Sequence, residues 1–148
     1  MRNTANHIVL ISCVKKKKTT RDKAKKLYIS SLFQKYWKYA QSLNSDKIFI
    51  LSAKYGLLDP EQIIEPYDES LNNISSRNRK VWAGKVLSQM RAAGLNLEKD
   101  RFTILAGKNY RQYLIGEQKI KYAETPLANI GGIGKILSYL NAHIQKGE

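Results

Sequence analysis

The chain has 148 residues, 43% of them hydrophobic, with 26 Lys and Arg against 12 Asp and Glu and a formal net charge of +14. That length suits one domain with a single core, and the apolar content excludes a disordered chain. No apolar run approaches the ~20 residues that cross a bilayer, no signal-peptide pattern opens the sequence, and the lone Cys13 excludes an internal disulfide. A cytoplasmic protein with no membrane partner is expected.

The first expected element is His7–Ser12 (HIVLIS), apolar throughout and too short for a helix, as a central parallel strand should be. Ala24 to Leu43 follows as one expected helix, with Leu32, Phe33, Tyr36, Trp37, Ala40 and Leu43 on one face and Asn44-Ser45 ending it. Lys47–Leu51 is a second buried strand. Ser52 to Ile74 then reads as a long irregular stretch broken by Gly56, Pro60 and Pro66, and loops of that length are usually functional. Ser75-Ser76 cap a helix from Arg77 to Ala93, closed by Gly94. Arg101–Ala106 is a third strand, Gly107 leads into a short helix over Asn109–Ile115, and Ile120–Ala123 is a weak fourth strand. Pro126 turns the chain toward a last helix over Ile133–Ile144, with an apolar stripe of Ile133, Ile136, Leu137, Leu140 and Ile144. Alternating strands and helices with right-handed crossovers give an α/β fold: a three-layer sandwich around a mostly parallel sheet of about four strands, in one domain spanning 1–148.

The positive charge is uneven. Lys15 to Lys26 holds eight basic residues and one acid, with Lys15-Lys16-Lys17-Lys18 contiguous. Leaving directly from a strand end, this run is a candidate phosphate-backbone surface through Lys16, Lys17, Lys18, Lys25 and Lys26, although a solvated loop would have the same composition. Such a surface supplies affinity without reading bases.

Several motifs are excluded. Gly131-Gly132-Ile133-Gly134-Lys135-Ile136 lacks the first glycine and the Ser or Thr of a phosphate loop, and no dinucleotide fingerprint follows the first strand. His7, His143 and Cys13 have no metal-ligand spacing, so neither a metal nor another cofactor is expected. Ser12-x-x-Lys15 lacks the partner motifs of acyl-transfer enzymes, and no histidine stands evidently beside Cys13 to activate it.

What remains converges on the carboxyl ends of strands, where α/β proteins place their sites. Ser12 and Lys15 follow the first strand, Ser52, Lys54 and Tyr55 the second, and Gly107, Tyr110 and Arg111 the third. Hydroxyls, exposed amides and cations suit phosphate and sugar oxygens, and tyrosines offer faces for stacking bases. Ser12 and Ser52 are therefore candidate catalytic residues. Lys15, Lys54 and Arg111 are candidates for phosphate, Tyr55, Tyr67 and Tyr110 for the remainder of the substrate. Asp68, after Pro66-Tyr67, is the best-placed acid to activate water or stabilise positive charge, although a turn or cap residue would also be an Asp.

The opening strand ending in Ser12, the segment Ile50-Leu51-Ser52-Ala53-Lys54-Tyr55-Gly56-Leu57-Leu58-Asp59-Pro60 and the Glu65-Pro66-Tyr67-Asp68 that follows resemble the YaaA family of peroxide-stress proteins. A closer resemblance is to small bacterial and phage domains with Ile-Ser-Cys-x-Lys, Ser-Ala-Lys-Tyr-Gly-Leu, Ala-Gly-x-x-Tyr and a late Pro-Leu and Gly-Ile-Gly, here Pro126-Leu127 and Gly132-Ile133-Gly134. The first resemblance implies DNA association and a role in limiting oxidative damage. The second implies a link to modified-base contexts, hence to nucleotides or N-glycosidic bonds. Ala53-Lys54, Asp59 and Asp68 depart from the YaaA pattern, which has Gly-Leu, Arg and Arg there. The expected function is that of a nucleic-acid-associated enzyme of glycosidase or base-exchange type, with DNA favoured over RNA. In it Lys15, Lys54 and Arg111 hold phosphate, Tyr55 and Tyr110 stack on the base and Asp68 assists cleavage. The alternatives are a non-catalytic DNA-coating protein and a partner-inhibiting phage protein.

Overall fold

The computed structural model of the protein describes residues 5–147. In chain order the elements are β1 (His7–Ser12), β2 (Asp22–Lys23), α1 (Ala24–Leu27), α2 (Ser31–Ser42), β3 (Lys47–Ser52), β4 (Gly56–Leu58) and β5 (Ile63–Ile64), then a 3-10 turn (Leu71–Asn73), α3 (Ser76–Ala92), β6 (Arg101–Leu105), α4 (Lys108–Arg111), β7 (Tyr122–Glu124) and α5 (Ile133–Gly147). The main sheet has the order β4-β3-β1-β6-β7, and β2 and β5 form a separate two-stranded ribbon.

β1 lies between two parallel neighbours, with Leu10 opposite Phe49 of β3 and Ile104 of β6. Its side chains meet helices on both faces, so an uninterrupted apolar run is required there, and Ile8 to Ile11 are fully buried. From β1 the chain crosses to β3 on one side and later returns to β6 on the other. Right-handed crossovers in opposite directions put α2 and α3 on opposite faces. Accordingly α5 packs on α2, whereas α3 packs on β4 and α4. The fold is a single compact α/β domain around a mostly parallel sheet.

Four elements differ from the expectation, each because tertiary partners outbid local pattern. The helix expected over Ala24–Leu43 is interrupted at Tyr28–Ser30. There Lys17 and Tyr28 form an antiparallel bridge, Ile29 N–H donates to Lys16 O (3.0 Å), and Ser30 Oγ caps α2 by accepting from Phe33 N–H (3.2 Å). The stretch expected to be irregular contains β4, which pairs antiparallel with β3 and makes the sheet five-stranded. In place of the expected Asn109–Ile115 helix, the shorter Lys108–Arg111 is helical, and the weak fourth strand is Tyr122–Glu124, paired parallel with β6. The caps of α3 are as expected: Ser75 Oγ accepts from Asn78 N–H (3.1 Å), and Gly94 takes φ +84°. No helix among the described residues is long and apolar enough to cross a membrane.

The turn from β3 into β4 depends on Gly56. Its φ is +78°, and an added Cβ would stand 2.2 Å from Gln89 Oε1. That amide is already committed, accepting from Leu57 N–H (2.8 Å) and donating to Tyr55 O (3.1 Å). Gly56→Ala must therefore strain the backbone and displace a side chain that makes two hydrogen bonds. The expected loss is roughly 2–4 kcal/mol in urea denaturation; an unchanged midpoint would show that Gln89 moves aside freely.

Candidate functional site

A cleft of about 650 Å³ opens at the carboxyl ends of β1 and β6. This is where the strand order reverses, because β1 is followed in sequence by β3 on one side and flanked by β6 on the other, and such a crevice is the usual ligand site of an open α/β sheet. Its floor is made by Ser12 and Cys13, which leave β1, and by Gly107 and Tyr110, which follow β6. One part of the lining is apolar, formed by Val14, Leu32 and Tyr36 with Ile133 and Ile136 of α5. The other is polar and comes from the long loop, with Asp68, Glu69, Ser70, Asn72 and Asn73. Lys15 and Lys17 complete the lining.

The floor is anchored by hydroxyls. Cys13 Sγ–H donates to Tyr110 OH (3.5 Å), which also accepts from Leu71 N–H (3.3 Å) and so ties the long loop to α4. Ser12 Oγ–H turns back to Cys13 O (2.9 Å). Beside the cleft, Ser52 is fully buried at the end of β3. Its Oγ–H donates to Tyr67 OH (2.8 Å) while accepting from Lys54 N–H and Tyr55 N–H, and its carbonyl accepts from Trp82 Nε1–H (2.8 Å). Tyr67 OH meets Tyr28 OH at 2.6 Å. Burial, the largest influence, pushes the phenols of Tyr28, Tyr67 and Tyr110 well above their ordinary value of 10.0, and that of Tyr36 up to about 12.

The candidate residues divide into three groups. Ser12, Lys15, Lys17, Asp68, Gly107 and Tyr110 are brought together around the cleft. Ser52 and Tyr67 lie behind its lining as buried hydrogen-bonded supports, and Tyr110, a buried residue, is held edge-on to Trp82. Lys54, Tyr55 and Arg111 are outside the lining. Lys54 is exposed with its ammonium 5.4 Å from the Tyr55 ring, Tyr55 packs edge-on to Tyr67, and Arg111 is half-buried with its Nε unpartnered among the described residues.

The basic run divides as well. Lys16 and Lys26 are exposed, like Lys15. Lys18 pairs with Asp22 (2.6 Å), whose carboxyl it holds low. Lys23 and Lys25 clamp Glu61, holding its carboxyl down at about 2. Lys17 turns inward, its ammonium 4.4 Å from the centre of the Tyr67 ring. A period-two reading of the segment after β1 would have separated Lys15 and Lys17 from Lys16 and Lys18. The apolar wall had no comparable signal, since Ile133 and Ile136 are more than a hundred residues from Val14. Among the described residues no cluster of His, Cys, Asp and Glu could hold a metal ion.

The chain belongs to a family of unknown function, DUF6884, whose model matches residues 8–142. No curated protein and no solved structure matches it.

The buried phenols make stability depend on alkaline pH. With native values raised above the unfolded 10.0, the folded state holds these protons longer. Their stabilisation is complete below pH 10.0 and is lost as pH rises beyond it. Urea midpoints should therefore be steady from neutrality to about pH 9 and fall steeply above the ordinary phenol value. A midpoint that holds while all tyrosines ionise in their ultraviolet titration would contradict the buried network.

Proposed function

We propose that this DUF6884 protein is a nucleic-acid-associated enzyme that takes one nucleotide unit into the cleft and acts at its N-glycosidic bond. The observation that carries this reading is the two-sided lining. A nucleotide is itself two-sided, with a flat apolar base and an oxygen-rich sugar phosphate, and about 650 Å³ is room for one. The base fits the wall of Val14, Leu32, Tyr36 and Ile136, with Tyr110 beneath. The sugar then faces Asp68 and Glu69, and Lys15 meets the phosphate at the mouth.

Asp68 is the acid of this scheme. Its carboxylate lines the cleft, is exposed, and has no hydrogen bond or salt bridge among the described residues. A group so placed can activate water or stabilise the cationic sugar as the bond to the base lengthens. Ser12 contributes by fixing the backbone of the floor, while Ser52 positions Tyr67 and with it the loop that presents Asp68. A base inside a duplex must leave its stack to reach such a site, and the positive field of the chain, together with exposed Lys15, Lys16 and Lys26, supports the phosphate contacts that hold the strand.

Two measurements test the reading. Asp68→Asn should lower base release from oligonucleotides by about a hundredfold or more while leaving binding intact; equal release by both proteins would remove Asp68 from the chemistry. Salt dependence tests the strand contact. Changing exposed Lys15 and Lys16 together to Ala should flatten the slope of log affinity against log salt by about 2 units on duplex DNA. An identical slope would remove this segment from the backbone contact, and steep binding without any base release by the wild type would favour a protein that only coats DNA.

A further inference from the structure

Tyr36 is the most deeply buried member of the apolar part of the cleft lining. It is 5% exposed, whereas Val14, Leu32 and Ile136 are half-buried and Ile133 is exposed. It stands on the buried face of α2, with Phe33 one turn before it and Ala40 one turn after. Its hydroxyl makes no hydrogen bond among the described residues. Nor is that hydroxyl sealed in. Among the described residues Arg111 Nε is the one fully enclosed side-chain polar atom without a partner, so the Tyr36 oxygen keeps access to open space, and the cleft is the space this residue lines. The other tyrosines of the region are committed: Tyr28 and Tyr67 to each other, Tyr110 to Cys13 Sγ–H and Leu71 N–H. A phenylalanine would fill the place of Tyr36, as Phe33 does one turn earlier, without burying a polar group that lacks a partner. A hydroxyl so placed contributes nothing to the fold and has its use only when the cleft is filled.

From this placement we infer that Tyr36 sets the base specificity of the cleft: its hydroxyl donates to an oxo oxygen on the edge of the base remote from the sugar, so the cleft prefers oxo bases to their amino counterparts. The inference rests on the reading of the cleft as a nucleotide site. In that reading the sugar stays with the polar residues of the long loop, so the remote edge of the base enters first and reaches the innermost apolar residue, which is Tyr36. The direction of the hydrogen bond follows from the chemistry of a phenol. Its lone pairs are shared with the ring, which makes it a better donor than acceptor, and burial keeps its proton in place throughout the neutral range. An oxo oxygen takes that proton, whereas an amino group at the same position sets donor against donor. Discrimination of this kind is strong, because the wrong ligand leaves a buried polar group unpaired.

The test uses the full chain and short single strands built from stable abasic spacers, each with one central base: uracil or cytosine, hypoxanthine or adenine. Within each pair the bases differ at the remote edge, oxo against amino. The backbone is common to all four strands, so phosphate contacts cancel from the comparison, and a strand with no base is the control. Affinity is read by fluorescence anisotropy before any turnover. In the pair whose size fits the cleft, the wild type should bind the oxo member about tenfold more tightly. Tyr36→Phe should weaken that member to the level of its amino counterpart, leave the amino member unchanged and have a urea midpoint no lower than that of the wild type. Equal affinity within both pairs for the wild type would overturn the inference without recourse to a variant. So would a preference that survives in Tyr36→Phe, or a loss in that variant shared equally by all four strands. Failure of the underlying reading looks different: a strand with no base that binds as tightly as the other four shows that no base enters the cleft, and removes the nucleotide site together with the role of Tyr36.

Discussion

The chain of hydroxyls from Ser52 through Tyr67 to Tyr28 joins three separate parts of the molecule in its interior. Ser52 ends β3, Tyr67 belongs to the long loop, and Tyr28 follows α1 in the basic segment, while the Trp82 indole brings α3 to the carbonyl of the same serine. Each group is buried, so each must find a partner inside the protein, and an unmatched hydroxyl there would cost about 1–3 kcal/mol. The loop that supplies the polar wall of the cleft and the segment that supplies its lysines are thus held by one set of mutual obligations. Deleting a single hydroxyl would strand its neighbours as well.

That network also explains how a strongly basic segment can be ordered. Eight cations in twelve residues repel one another, and a free loop of this composition would stay extended and solvated. Here Asp22 and Glu61 neutralise part of the charge, the β2–β5 ribbon fixes the backbone, and Tyr28 and Tyr67 accept the stem and ammonium of Lys17. The result is a division of labour within one run. Some lysines hold the segment in place, Lys16 faces outward, exposed Lys15 stands at the mouth of the cleft, and Lys17 is delivered into it. Contiguous identical residues have different environments because an extended backbone sends neighbours to opposite sides.

The place of the site was legible before its walls were. Ser12, Gly107 and Tyr110 stand at the ends of apolar strand runs, and the rule that α/β sites lie at carboxyl strand ends grouped these residues, which line one cleft. Asp68 was legible as a candidate on a long loop too apolar to be disordered, and it lines the cleft. Lys54, Tyr55 and Arg111 satisfied the same rule equally well and nevertheless fall outside the cleft, because proximity to a strand end does not say which side of the turn a side chain takes. Ser52 and Tyr67 have the composition of site residues but are spent on each other. In sequence, a hydroxyl that supports a site and one that faces it are indistinguishable.

What the sequence determined by itself is the class of fold and the period of its elements. Buried parallel strands demand continuous apolar runs, amphipathic helices demand a 3.6-residue stripe, and both patterns are local, so β1, β3, β6, α3 and α5 were readable within a few residues of their ends. Tertiary structure alone decided the break after α1, the edge strand β4, the partners of each lysine and the meeting of Val14 and α5 in the lining of one cleft. These depend on contacts between segments far apart in the chain, where a backbone hydrogen bond to Lys16 or a hydroxyl offered by Tyr67 outweighs the weak preference of the residues concerned. Local propensity selects among conformations that differ by a few tenths of a kcal/mol per residue. Burying a polar group without a partner costs several times more, and that difference settles where the local pattern yields.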